Sequence, residues 1–206
     1  MVIMAAGDGT RMKSGLPKVL HRAAGKPLVG HVVDAARGVG AAAIALVVPV
    51  EHTTLRETLG EDFVYAVQDP PRGTGDAAAC GLRALGDKAG ELVLVVNGDG
   101  PCIRASTLQN MLDARGEADA VFLTVNREDP TGYGRIVRGA DGALQRIVEE
   151  SDCSEEQRKI SEVNAGVYLF EAGMMAKALD ALTPDNAQGE LYLTDALEVV
   201  NGLGGR

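Results

Sequence analysis

Tryptophan is absent from this chain, and aromatic residues make up only 3% of it. Positive charge is also scarce. Lys and Arg number 20 against 29 Asp and Glu, a formal net charge of −9. Such an acidic balance argues against general nucleic-acid binding, which depends on neutralising many phosphates. A single nucleotide needs only a local cationic pocket, so that class stays open. Long apolar runs are missing too. None reaches the roughly 18–20 residues that a membrane span needs, so no membrane partner is expected. Residues 1–5 have neither the basic start nor the apolar length of a signal peptide. Cys80, Cys102 and Cys153 form no C-x-x-C pair. Their odd count and scatter suggest reduced thiols in a cytoplasmic protein. There is no internal repeat, no low-complexity linker and no credible Ser, Cys or His triad. His21, His31 and His52 read as packing or surface residues.

What is present is an alternation. At 206 residues the chain suits one α/β domain. Apolar runs at 2–5, 44–48, 63–67, 92–96 and 120–125 read as strands. Between them, helical spacing covers 28–37, 53–59, 77–85 and 104–115, with Thr53 or Thr54, Asp76 and Ser106 as candidate caps. Buried strands alternating with helices argue for a parallel sheet between helical layers. The alternation stops after residue 125. Asp141-Gly142 is a hairpin turn signal that would pair 135–138 with 144–148 as an inserted antiparallel element. A strand at 163–170 and helices at 174–182 and 191–200 complete the reading.

Three places carry chemistry. The first strand runs into Gly7-Asp8-Gly9-Thr10-Arg11-Met12, followed by Pro17-Lys18-Val19-Leu20. Glycines let backbone N–H groups approach phosphate oxygens, and Arg11 and Lys18 add cationic donors. The dinucleotide fingerprint fails because Met12 stands where its third glycine belongs. A Walker A loop fails because Gly25-Lys26 runs into Pro27. A longer loop around a triphosphate remains, beside the plainer reading of a turn. The second place is Gln68 to Asp76, at the end of the third strand, either a turn or a base-recognition loop. A Gln side chain offers both a donor and an acceptor to a base edge. The third is Asn97-Gly98-Asp99-Gly100-Pro101, at the tip of the most uniform apolar run. Asp-Gly-Pro is a good turn. A carboxylate at such a strand mouth also suits Mg²⁺, which takes few carboxylates alongside phosphate oxygens and water.

These motifs together resemble the sugar-nucleotidyltransferases. The nearest resemblance is to the uridyltransferase domain of the bifunctional N-acetylglucosamine-1-phosphate uridyltransferase/glucosamine-1-phosphate acetyltransferase family. It rests on Ala5-Ala6-Gly7-x-Gly9-Thr10-Arg11-Met12, Pro17-Lys18-Val19-Leu20, Gln68 with Gly73-Thr74, Gly98-Asp99-x-Pro101, Gly132-Tyr133-Gly134-Arg135 and residues 186–195. The resemblance implies a three-layer Rossmann-like nucleotide-diphospho-sugar transferase fold, mostly parallel, with a small inserted β-hairpin. It implies Arg11 and Lys18 as catalytic cations, and a nucleotide site of Ala5, Ala6, Gly7, Gly9, Thr10, Gln68, Gly73 and Thr74. Asn97, Gly98, Gly134, Glu149 and Asn164 would face the sugar, and Asp99 would hold Mg²⁺. For Glu149-Glu150 a solvated charge pair is the plainer alternative. The partners implied are UTP and N-acetylglucosamine 1-phosphate. Alternatives are another nucleotide and sugar phosphate, or a catalytically silent nucleotide-sugar-binding domain. The family's second magnesium ligand, an asparagine, and its β-helix acetyltransferase domain have no counterpart up to Arg206. Residues 1–206 therefore read as a C-terminally incomplete nucleotidyltransferase domain, expected to be a monomer because family trimers assemble through the β-helix.

Overall fold

The computed structural model describes every residue except Asp8, Thr10 and Arg11. The chain begins with β1 (Val2–Met4), a two-stranded ribbon of β2 (Arg22–Ala23) and β3 (Lys26–Pro27), and helix α1 (Leu28–Gly38). There follow β4 (Ala45–Val48), α2 (Thr53–Leu59), β5 (Val64–Val67), α3 (Thr74–Leu85), β6 (Leu92–Asn97), α4 (Ala105–Ala114) and β7 (Ala120–Asn126). The last part holds β8 (Arg135–Arg138), β9 (Leu144–Val148), α5 (Glu155–Arg158), β10 (Glu162–Glu171), α6 (Ala172–Asp180) and α7 (Ala196–Gly202).

Strands β5, β4, β1 and β6 lie side by side and parallel, in that order. Ile3 is level with Leu46 on one side and Val96 on the other. Successive side chains point to opposite faces, and both faces of these strands are apolar. Ile3, Leu46, Leu94 and Val96 meet α1, α2 and α4 on one side. Val2, Ala45, Val47, Val93 and Val95 meet α3, α6 and α7 on the other. That arrangement gives the three layers and the parallel centre expected from near-continuous apolar runs.

Beyond β6 the sheet turns antiparallel. Strand β10 pairs with β6 through Val167 to Glu171 and with β7 on its other flank. A bulge between Asn164 and Tyr168 bends it. Past the bulge, Val163 pairs with Arg135, so the β8–β9 hairpin joins the main sheet. Asp141-Gly142 makes its turn, Gly142 having φ of 81°.

Several local expectations need correction. None of the three proposed capping side chains caps a helix. α2 is flanked by His52, α3 by Gly73 and α4 by Arg104, without side-chain cap bonds. Asp76 lies inside the first turn of α3, buried. α6 begins two residues earlier than its spacing suggested, because the Glu171 carboxylate accepts from the N–H groups of Gly173 and Met174. Residues 193–195 form a 3-10 turn before α7. The β2–β3 ribbon has no signal in apolar periodicity. It is made by the turn at Ala24 and Gly25, both with positive φ.

Candidate active site

The carboxyl ends of β1, β5 and β6 open into a cleft of about 720 Å³. In open α/β sheets ligands bind at this edge. The lining includes Ala6, Gly7, Gly9, Lys18, Gln68, Gly73, Thr74, Asn97 and Asp99, so candidates from all three chemical loops meet in one space. Thr10 and Arg11 lie outside the described residues.

Gly9 has φ of +56°, and a Cβ there would stand 2.6 Å from Lys18 Cβ. The glycine thus lets the Lys18 stem cross the loop. The Lys18 ammonium reaches the carboxylate of Asp99, and both side chains remain partly exposed. Gly98 donates to the Met4 carbonyl at 2.8 Å, and a Cβ on it would stand 3.0 Å from that oxygen. Gly98 therefore packs under the loop that presents Asp99. Ala5 is likewise turned into the core, its N–H bound to the Val47 carbonyl.

The base-side loop is tied down from behind. Gln68 is buried, and its amide nitrogen donates to the Gly73 carbonyl at 3.0 Å and to Asp76 Oδ2 at 2.9 Å. Arg72 donates to the other Asp76 oxygen at 2.9 Å. Gly73 has φ of +108°, and a Cβ there would come within 2.5 Å of the Leu191 carbonyl. Leu191 N–H donates to the Arg72 carbonyl, and Gly75 N–H to the Leu191 carbonyl. Leu193 N–H donates to Thr74 Oγ1 at 3.0 Å. Residues 191–193, the start of the segment expected to be the last helix, therefore brace the pocket through their backbone.

The proposed sugar residues form a neighbouring group, and among them only Asn97 lines the main cleft. Its amide lies so close to Gly166 that a Cβ there would stand 2.3 Å from Nδ2. Asn164 N–H donates to the Gly134 carbonyl at 2.8 Å. The Asn164 amide donates to the buried Tyr168 hydroxyl at 2.7 Å and accepts from Gly166 N–H at 3.0 Å. A Cβ on Gly134 would stand 3.2 Å from Glu149 Oε2. Glu149 accepts from the Thr194 hydroxyl at 3.1 Å, and Thr194 follows the residue that binds Thr74. The two groups are thus joined through residues 191–194.

The adjacent glutamates are not a matched solvated pair. Burial pushes the Glu149 carboxyl above its ordinary range, the Thr194 hydrogen bond pulls it partly back, and the Asp152 charge adds to the rise. Glu150 accepts from Gly132 N–H at 3.0 Å and pairs with the buried Arg135 guanidinium at 2.7 Å. Both interactions hold its carboxyl below the usual range. Asp195, close behind Glu149, is pushed up to about 6 by burial and by the charges of Glu198, Glu149 and Asp152. Two contributors escaped the residue-by-residue reading. Glu190 lines the cleft and Thr194 holds Glu149. Both lie in the 186–195 stretch, which carried the signal only as a phrase.

Glycines after β1, a lysine beside a carboxylate at a central strand mouth and a buried amide loop are the features of a nucleotide-binding α/β domain. Residues 1–192 match the model of the MobA-like NTP transferase domain. The chain belongs to that family. It is similar to the bifunctional protein GlmU of Clavibacter sepedonicus, with 46% identity over 210 residues, covering 100% of this chain and 43% of the relative. The corresponding protein of Mycolicibacterium gilvum is 47% identical over 215 residues, again 100% of this chain and 43% of the relative. The chain thus spans less than half the length of these relatives. The resemblance read from the motifs agrees with these matches. The fold is similar to that of a UDP-glucose pyrophosphorylase solved with UDP-glucose, at TM-score 0.78 and 19% identity over 98% of this chain and 86% of the other. A putative glucose-1-phosphate thymidylyltransferase from Bacillus anthracis matches at TM-score 0.77 and 22% identity over 99% of this chain and 83% of the other.

Proposed function

We propose that this domain transfers UMP from UTP to N-acetylglucosamine 1-phosphate, giving UDP-N-acetylglucosamine and pyrophosphate. The observation that carries the reading is the single cleft holding Gly7, Gly9 and Lys18 together with Gln68, Thr74 and Asp99. The GlmU relatives at 46–47% identity support the choice of base and sugar.

A phosphate oxygen of the sugar phosphate attacks the α-phosphorus of UTP, and the bond to the β-phosphate oxygen breaks. The nucleophile is already ionised, so positioning and charge neutralisation supply the catalysis. Lys18 stands in the cleft to bridge phosphates and stabilise the charge that builds on the leaving pyrophosphate. Arg11 is assigned the pyrophosphate end. Gly7, Gly9 and Thr10, following Ala5 and Ala6, are assigned to the phosphates. Gln68, Gly73 and Thr74 take the base. Asn97, Gly98, Gly134, Glu149 and Asn164 form the sugar side, with Glu149 accepting from sugar hydroxyls.

Nucleotidyltransferases of this kind depend on a divalent metal, and Mg²⁺ is the ion proposed here. Among the described residues no three metal-binding side chains cluster. A lone oxygen ligand at the strand mouth, Asp99, fits an ion that arrives with phosphate oxygens and water. When bound there, Mg²⁺ supplies neutralisation of phosphate charge. Lys18 pairs with one Asp99 oxygen, so the other would remain for the ion.

Among the described residues no helix is long and apolar enough to cross a membrane, and all three cysteines are free. A cytoplasmic monomer goes with this reading, and light scattering should return a single species near 21.4 kDa. The deciding experiment is pyrophosphate release across a panel of nucleoside triphosphates and sugar 1-phosphates with Mg²⁺. Turnover restricted to UTP with N-acetylglucosamine 1-phosphate is the expected result. Turnover with another pair assigns a different substrate, and binding without turnover identifies a silent domain.

A further inference from the structure

From the geometry behind the base loop we infer that Asp76 is a specificity-determining positioning residue. It locks the Gln68 amide so that only the carbonyl oxygen is left for the base. The inference rests on the proposed nucleotide reading of the same cleft.

Gln68 is 5% exposed and Asp76 is 4% exposed. The Gln68 amide nitrogen carries two hydrogens, and both are taken, one by the Gly73 carbonyl and one by Asp76 Oδ2. Both partners are acceptors only, so the NH₂ end of the amide must face them. Turning the amide over would place its oxygen against a carbonyl and a carboxylate. Oε1 is therefore the polar atom of Gln68 left for the cleft that the residue lines. A carboxylate is costly to bury unless paired. Asp76 is held by Gln68, by Arg72 at 2.9 Å and by its place in the first turn of α3, where the helix dipole favours negative charge. An ordinary helix cap would not need this burial, and Asp76 is not one.

An acceptor fixed at this point selects bases with a ring N–H. Uracil presents its N3–H there. Cytosine presents a bare N3, which repels Oε1. Without Asp76, a single neutral carbonyl is left to orient the amide, and the flipped form becomes accessible.

Calorimetric binding of UTP, CTP and N3-methyl-UTP to the intact chain, with turnover measured in parallel, tests this. The unaltered protein should bind UTP in preference to both others. Asp76→Leu, which keeps the branched skeleton but has no acceptor, should lower the UTP:CTP ratio about ten-fold, the worth of one good hydrogen bond. The loss should fall on Kd and KM, with kcat at saturating UTP largely kept. Asp76→Asn, which still offers an oxygen to Gln68, should restore most of the ratio. A folded Leu variant with an unchanged ratio overturns the inference, as does an Asn variant that behaves like Leu. Equal binding of UTP and N3-methyl-UTP by the unaltered protein overturns it whether or not any variant folds. Absence of any nucleotide binding overturns the proposed function along with it, whereas UTP turnover with an unchanged ratio overturns this inference alone.

Discussion

Lys18 shows how one side chain serves two charges. Its ammonium pairs with Asp99, and in the proposed reaction it serves the phosphates. Because both partners are partly exposed, the pair itself adds little stability. Lys18→Ala should therefore lower turnover by about 10²–10³, by analogy with other preorganised charge donors. Its urea unfolding midpoint should stay near that of the parent. Near-parental pyrophosphate release would remove Lys18 from the chemistry. Gln68 and Asp76 make the complementary case, in which a buried amide gains its direction from a neighbour eight positions along the chain.

The elements that frame the cleft are held by close backbone approaches. Helix α3 packs on β1 at Gly81, where a Cβ would meet Val2 Cγ1 at 2.4 Å and Val47 Cγ2 at 3.1 Å. Gly81→Ala gains up to about 1 kcal/mol in helix propensity. Overpacking against a central strand costs about 1–3 kcal/mol and should win, since Val2 and Val47 are fully buried. Chemical denaturation should show a lower midpoint with an unchanged slope. An unshifted midpoint would mean that the strand can yield. The link from the 3-10 turn to α3 is tested by Thr74→Val, which keeps the shape and leaves Leu193 N–H without its acceptor. About 1 kcal/mol of stability should go, and KM for UTP should rise because Gly73 and Thr74 lose their brace. If KM and stability both hold, residues 191–194 do not position the base loop.

Across the whole molecule, charge is distributed unevenly around the hairpin. Glu149, Asp152, Asp195 and Glu198 share one hollow with Arg146. Asp195 has its carboxyl raised to about 6 from an ordinary 3.8. The folded state therefore holds this proton more tightly than the unfolded chain. Its contribution to stability is fully present below pH 3.8 and is lost as pH rises through about 6. Asp195→Asn removes the charge, so it should stabilise the protein by about 1–2 kcal/mol at pH 8 and have almost no effect at pH 3.5. Urea titrations at the two pH values check this. An equal effect at both would point to packing instead of charge.

The layered α/β fold was legible in the chain because its cause is local. Runs such as Leu92 to Val96 are apolar on both faces, and only a strand between two helical layers buries both. The glycine loop, Lys18 and Asp99 were legible for a related reason. The glycine loop and Asp99 each follow such a run, strand ends in a parallel sheet share one edge, and Lys18 returns to that edge a few residues after the loop. The helix starts were not legible, because Thr53, Ser106 and Asp76 are good caps in isolation, yet these three helices begin without any side-chain cap. The role of Asp76 depends on Gln68, Gly73 and Arg72 closing around it. The separate fates of Glu149 and Glu150 depend on Thr194 and on Arg135, which reach them only after the sheet has assembled. Apolar pattern and turn chemistry act within a few residues and can be read in order along the chain. Which polar atoms are buried, and which acceptor each donor finds, depends on contacts between distant segments, and these exist only in the folded molecule.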